Sequence, residues 1–291
     1  MFRRLGLWGE VKRQRSLPPV PMITYDKGLP SLPDDVTYEI FILLDMESLK
    51  SCSLASKAIS RSTKPLLHRT LCLIPGYRGI SRANVPGDWN EFKGLSILGE
   101  RGLLQHTRHL SMFLGRNPLF HHDLHLYIRH LHTLTNLMSL KTRWLDTSSF
   151  ISRMGEYFGA FLGSLRSLEL EYPRGDHNQI LYFICQFTNL RDLKIKGTQD
   201  YKHSIRNGGP HFDVDNFPPL DGTLDLELYT RSDKGAMLVV DNLLTAPLNF
   251  RTLKLLGCTG AHSQLLIDAC APKLEYMDLT WHWIGRSFHH I

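Results

Sequence analysis

From residue 106 onward, apolar residues recur in pairs with one polar residue between them. The phrase reads HTRHLSM at 106–112, LMSLKTR at 137–143, LRSLELE at 165–171, LRDLKIK at 190–196, LDGTLDLEL at 220–228, FRTLKLLGC at 250–258 and LEYMDLT at 274–280. Its leading apolar residues are Leu110, Leu140, Leu168, Leu193, Leu224, Leu253 and Met277, separated by 30, 28, 25, 31, 29 and 24 residues. Side chains two apart lie on one side of a strand, so each pair marks a short strand with one face turned inward. The stretches ILYFICQFTNL (180–190) and QLLIDACAPKL (264–274) are apolar at helical spacing and predict helices covering the other side of the core. A single strand–helix unit cannot hide its own apolar face, so neighbours must stack. The pattern therefore predicts an α/β architecture with a parallel sheet. Leu168, Leu193 and Leu253 are expected to be almost fully buried, on adjacent parallel strands.

The residues between and after each apolar pair test that register. Lys141, Glu169, Lys194, Asp225, Lys254 and Asp278 form one outward row, and Arg143, Glu171, Lys196, Glu227, Leu256 and Thr280 form the next. Sign alternates along both rows while the charges last. Parallel neighbours lie about 4.8 Å apart, so opposite charges would meet laterally. A slip of one residue would put every one of these charges in the core.

The N-terminal third follows a different pattern. After Leu32-Pro33, the residues Val36, Ile40, Leu43 and Leu44 fall at i, i+4, i+7 and i+8, one apolar face of a short helix. Asp34 and Asp35 sit in its first turn, where negative charge suits the helix dipole. A second helix with Leu49, Cys52, Ser53 and Leu54 is expected after Ser48, a capping residue type. A third is expected near Pro65, a favoured first helical position, carrying Leu66, Leu67 and Leu71. Three short helices in about 45 residues bury little surface alone, which points to docking.

These residues resemble the F-box. The family's Leu-Pro, acidic pair, Ile/Leu helix, Leu-x-x-Cys-like segment, Ser-Lys step and Leu-Leu-x-Arg close read here as Leu32-Pro33, Asp34-Asp35, Ile40 to Leu44, Leu49 to Cys52, Ser56-Lys57 and Leu66 to Arg69. Ile59 and Leu67 stand where the family commonly has tryptophan. The later phrase resembles leucine-rich repeats, in the irregular form that follows the F-box in many fungal proteins; Phe250-x-x-Leu253-x-Leu255-x-x-Cys258 reproduces the full repeat phrase. The implied fold is a small N-terminal helical F-box unit followed by an irregular leucine-rich-repeat solenoid with a parallel sheet. The resemblance implies that Leu32, Pro33, Val36, Ile40, Leu43, Leu49 and Leu54 dock a Skp-family adaptor and, through it, a cullin. The repeats would hold a protein substrate of a cullin–RING ubiquitin ligase. Catalysis would then be by proximity, with no chemistry done by this chain. The alternative is a repeat scaffold that binds a partner without any ligase link.

Composition narrows the remaining classes. The chain has 291 residues, and residues 1–28 hold six Lys/Arg and two acids, or +4 of the formal +6. The remaining 28 basic and 26 acidic residues leave only +2. The excess charge thus lies in a basic tail, and nucleic-acid binding by the body is not expected. The expected divisions are a flexible tail (1–28), the F-box (29–73), a linker with a short helix (74–100) and the repeats (101–291). No run is long and apolar enough for a membrane span, and residues 1–21 lack a secretory pattern. Five cysteines without a C-x-x-C pair suggest reduced thiols in a cytoplasmic or nuclear setting.

Catalytic, metal and cofactor signals are weak. His121 and His125 fall at i, i+4 with Asp123 between them, which could suit zinc. No H-E-x-x-H or nearby cysteine completes such a site, and the histidines are read as polar positions of an amphipathic helix between repeats. No phosphate-binding glycine loop or G-x-S-x-G elbow occurs. A non-enzyme without cofactor or metal is expected. Tyr276, Trp281, Trp283 and Phe288 suit either a cap on the last repeat or anchors of an interface. Tyr276, Trp281 and Trp283, with the turn-rich loop 197–222, are the expected substrate-binding elements.

Overall fold

The computed structural model describes residues 33–73, 90–114, 129–151, 153–173, 177–197, 217–228, 239–258 and 260–280. Three helices come first. α1 (Asp34–Ile42) starts at Pro33, whose carbonyl accepts from the Thr37 amide at 2.9 Å. α2 (Met46–Ala55) starts three residues earlier than the sequence suggests, because Asp45 and not Ser48 is the cap. The Ser48 amide donates to Asp45 Oδ1 at 2.7 Å, and that bond holds the Asp45 carboxyl below its ordinary range.

α3 (Lys57–Leu67) also starts early. Ser56 caps it, accepting from the Ile59 amide at 3.2 Å, and Pro65 falls in its last turn. A proline there forgoes a single i−4 hydrogen bond, so the helix tolerates it. Leu71 is not helical. Phe41, Leu49 and Leu66 form a three-residue core, ringed by Tyr38, Leu44, Cys52, Ile59 and Leu67.

Eight strands then build one sheet: β1 (Thr70–Leu73), β2 (His109–Phe113), β3 (Ser139–Arg143), β4 (Ser167–Glu171), β5 (Asp192–Lys196), β6 (Leu220–Glu227), β7 (Leu248–Leu256) and β8 (Tyr276–Thr280). Their spatial order is their chain order, and every pair is parallel. The register aligns Leu71, Leu110, Leu140, Leu168, Leu193, Leu224, Leu253 and Met277 in one row. Seven of these were legible as a row. The eighth, Leu71, belongs to β1, because Thr70 to Leu73 alternates and finds a partner edge in β2.

Leu168, Leu193 and Leu253 are all buried. β4 and β5 are adjacent as expected, whereas β6 separates β5 from β7. Met277 departs from the expectation and is 44% exposed, since among the described residues its strand has a neighbour on one side only.

Behind the middle strands lies an aromatic core. Phe150, Tyr157, Phe158, Phe161, Phe183 and Phe187 come from the helices Thr147–Ile151, Met154–Phe158, Gly159–Phe161 and His177–Cys185 and the turn after them. Their ring centroids lie 5.3–6.5 Å apart, mostly edge to face. The helix Asn90–Glu100 falls in the stretch read as a linker, but its Leu95 is fully buried in the same core.

Candidate functional site

The helical unit presents apolar side chains that its small core does not use. Val36, Ile40, Ile42 and Met46 are exposed, Leu43 is 84% exposed and Leu54 87% exposed. Pro33 is also exposed. Leu49, expected on the docking face, instead points inward at 6% exposure, because one side of α2 must fill the space between Phe41 and Leu66. Leu32 lies outside the described residues. Ile42 and Met46 are exposed apolar residues that the sequence pattern did not single out; both fall off its i, i+4, i+7 register.

On the sheet's outer face, the alternating rows meet as their spacing implied. Lys141 Nζ lies 3.1 Å from Glu169 and 3.0 Å from Glu171, and Arg143 Nε lies 3.6 Å from Glu171. Lys196 reaches Glu169 at 3.0 Å, Glu171 at 3.8 Å and Glu227 at 3.7 Å, while Lys194 pairs with Asp225 and Glu227. Four cations and four carboxylates thus cancel in a continuous patch over β3 to β6.

Burial alone would lower the Lys141 and Lys194 ammoniums, but their carboxylate partners outweigh it and hold both above the ordinary range. Burial likewise opposes ionisation of Glu169, yet Lys196 and Lys141 hold its carboxyl below the usual value. Lys254 and Asp278 keep the register but form no ion pair among the described residues.

At the carboxyl ends of β3 and β4 the chain turns left-handed at Trp144 (φ 59°) and Tyr172 (φ 51°), a conformation that costs bulky residues of order 1–3 kcal/mol. Each amide there is bonded to the next strand, Trp144 to the Glu171 carbonyl at 2.8 Å and Tyr172 to the Lys196 carbonyl at 2.7 Å. The two rings stack at 6.2 Å, with the Arg143 guanidinium 4.5 Å from the Trp144 centroid. Gly197 takes the same conformation, and a Cβ there would lie 2.3 Å from the Tyr172 ring.

The opposite ends of the strands carry a feature that the sequence reading passed over. Arg69, Arg108, Arg166, Arg191 and Arg251 each stand two residues before the leading leucine of a strand. Arg-x-Leu recurs in five of the eight strand phrases and was the available signal. Arg251 pairs with Asp221 at 3.6 Å and Glu275 at 3.7 Å. Arg108, Arg166 and Arg191 are exposed and make no ion pair among the described residues. They border a groove of about 370 Å³ together with Asn136, Ser164 and Asn189.

Of the expected substrate-binding residues, Tyr276 is 56% exposed on β8. Trp281 and Trp283 lie outside the described residues, as do 198–216 of the loop and the histidines from His121 to His125. Among the described residues no cluster of His, Cys, Asp or Glu could hold a metal ion, and no helix is long and apolar enough to cross a membrane. All five cysteines are free. Burial pushes the Cys185 thiol up to about 12 and that of Cys258 up to about 11, so neither offers a thiolate near neutral pH. No protein-family model matches the chain, and no curated protein matches it at a significant level.

Proposed function

We propose that this chain is the substrate-recognition subunit of a cullin–RING ubiquitin ligase. In this reading α1 to α3 dock a Skp-family adaptor, and a leucine-rich-repeat solenoid, built on the parallel sheet, holds a protein substrate. The observation that carries the reading is the exposure of the apolar side chains Val36, Ile40, Leu43 and Leu54 on a unit whose own core is only three residues. Fully burying side chains of this size contributes about 1.5–3 kcal/mol each, so leaving four of them exposed favours a partner. The F-box-like order of residues supports the nature of that partner. The eight-strand sheet in strict chain order supports the repeat reading, since each strand touches only its neighbours.

The chain's part is positional: it tethers a substrate and raises its effective concentration beside the conjugating machinery. The test is co-purification of the full chain with a Skp-family adaptor. Leu43→Asp with Leu54→Asp should abolish capture without changing the melting midpoint, because both side chains are exposed. Capture of the adaptor by the double variant at wild-type yield would reject the assignment. Failure of even the wild-type chain to capture it would leave the scaffold without ligase link as the better reading.

A further inference from the structure

The strand starts repeat one backbone device. The Arg69 carbonyl accepts from the Arg108 and His109 amides at 2.8 and 3.0 Å, and the Arg108 carbonyl accepts from Met138 and Ser139 at the same distances. Met138 repeats this with Arg166 and Ser167 at 2.8 and 3.0 Å, and Arg166 with Arg191 and Asp192 at 2.8 and 2.9 Å. One residue per strand is thereby fixed at the same height, and the chain places arginine there on β2, β4 and β5. Glu169, Glu171, Asp225 and Glu227, facing outward over β3 to β6, are already paired with lysines and Arg143. Asp192, beside Arg191, lies on that outward row and pairs with none of the three arginines. Among the described residues, Arg108, Arg166 and Arg191 are therefore cations without an ion-pair partner, beside a network in which Lys141, Arg143, Lys194 and Lys196 cancel Glu169, Glu171, Asp225 and Glu227.

We propose that Arg108, Arg166 and Arg191 form, with Asn136, Ser164 and Asn189, a ledge that binds an extended acidic peptide laid across the strand starts. Arg166 and Arg191 are on neighbouring strands, about 4.8 Å apart, close enough to hold one carboxylate between two guanidinium groups. Arg108 is two strands further, roughly 10 Å away, which in an extended peptide is the distance to an acidic side chain about three residues along. A single small anion cannot span that distance.

The asparagines favour a peptide over a nucleic acid. Asn136 Nδ2 donates to the Gln105 carbonyl at 2.9 Å and Asn189 Nδ2 to the Gly163 carbonyl at 2.6 Å. Their side-chain oxygens remain as acceptors, suited to peptide N–H groups and of no use to phosphates. Among the described residues, the groove lining contains no aromatic residue on which a base would stack. The ledge does not depend on adaptor docking, and its test uses no adaptor.

The experiment is fluorescence anisotropy with the full chain and a fluorescein-labelled octaglutamate peptide, at low ionic strength. The glutamate peptide should bind, and the glutamine version should not. Arg166→Gln with Arg191→Gln should weaken binding by about tenfold or more. Arg251→Gln, at a paired site off the ledge, should leave it unchanged. The arginines are exposed, so melting midpoints should not move; Arg108→Gln, measured separately, keeps the test valid if the double variant is unstable. Wild-type binding by both ledge variants would place the peptide elsewhere, for instance on the basic tail, and overturn the proposal. So would equal binding of the glutamine peptide, absence of binding, or tighter binding of a thymidine octanucleotide.

Discussion

Thr142 occupies a core position on β3, level with Met112 on β2 and Leu170 on β4, and it is fully buried. Its hydroxyl has no hydrogen-bond partner among the described residues. A buried unsatisfied hydroxyl costs about 1–3 kcal/mol, whereas valine has nearly the same shape and no polar atom. Thr142→Val should therefore raise unfolding free energy by about 1 kcal/mol in urea melts; a loss of stability would show that the hydroxyl is satisfied in solution. Gly222 makes the opposite case. Its φ is +94°, and a Cβ there would lie 2.0 Å from the Arg191 carbonyl oxygen, at the irregularity where β6 joins β7. Gly222→Ala combines backbone strain with overpacking and should cost about 2–4 kcal/mol. An alanine variant as stable as the wild type would contradict the observed turn.

At the scale of elements, the strands were far more legible than the helix ends. Period-2 alternation over a buried face allows only one register, so seven leading apolar positions and both charge rows could be aligned from residues alone. Helix starts are set by which of several suitable residues captures an amide. Asp45 and Ser48 are equally good cap types, and no local rule chooses between them. β1 was hidden because its phrase, Arg69-x-Leu71-x-Leu73, adjoins a helix and lies 39 residues before Leu110, outside the later spacing. The arginine row was legible as Arg-x-Leu, but it lies outside the alternating apolar pair whose burial defines each strand.

The outward charge network also sets a pH response. Glu169 is depressed from its ordinary 4.5, so its contribution is present above that value and is lost as pH falls through the folded pKa. Lys141 and Lys194 are raised from 10.5, so theirs is present below that value and is lost as pH rises through the folded pKa. His68 and His109 are lowered from 6.5, mainly by burial and then by nearby cations. A lowered histidine makes the unfolded chain the better proton acceptor, so stability should begin to fall as pH drops below about 6.5. His68→Gln with His109→Gln should flatten that first acid step in a urea-midpoint series, leaving the lower one, near the carboxylate range, in place. An unchanged first step in the double variant would refute the assignment.

At the scale of the whole molecule, a helical unit with an under-sized core is joined to a sheet that carries its own. Their join is continuous, with α3 ending at Leu67 and β1 starting at Thr70, so a partner held on the helices is fixed relative to the sheet by a short connection. The architecture of the sheet could be argued from the spacing of leucines. The identity of the docking partner could not, because exposed apolar residues specify an interface and not its other half; that step rests on the F-box-like residue order. The most direct measurement is calorimetric titration of the purified full chain with a purified Skp-family adaptor. The account predicts one adaptor per chain and a negative heat-capacity change from apolar burial. It also predicts loss of the signal in Leu43→Asp with Leu54→Asp. No heat of binding across temperatures, or an isotherm unchanged in that variant, would contradict it.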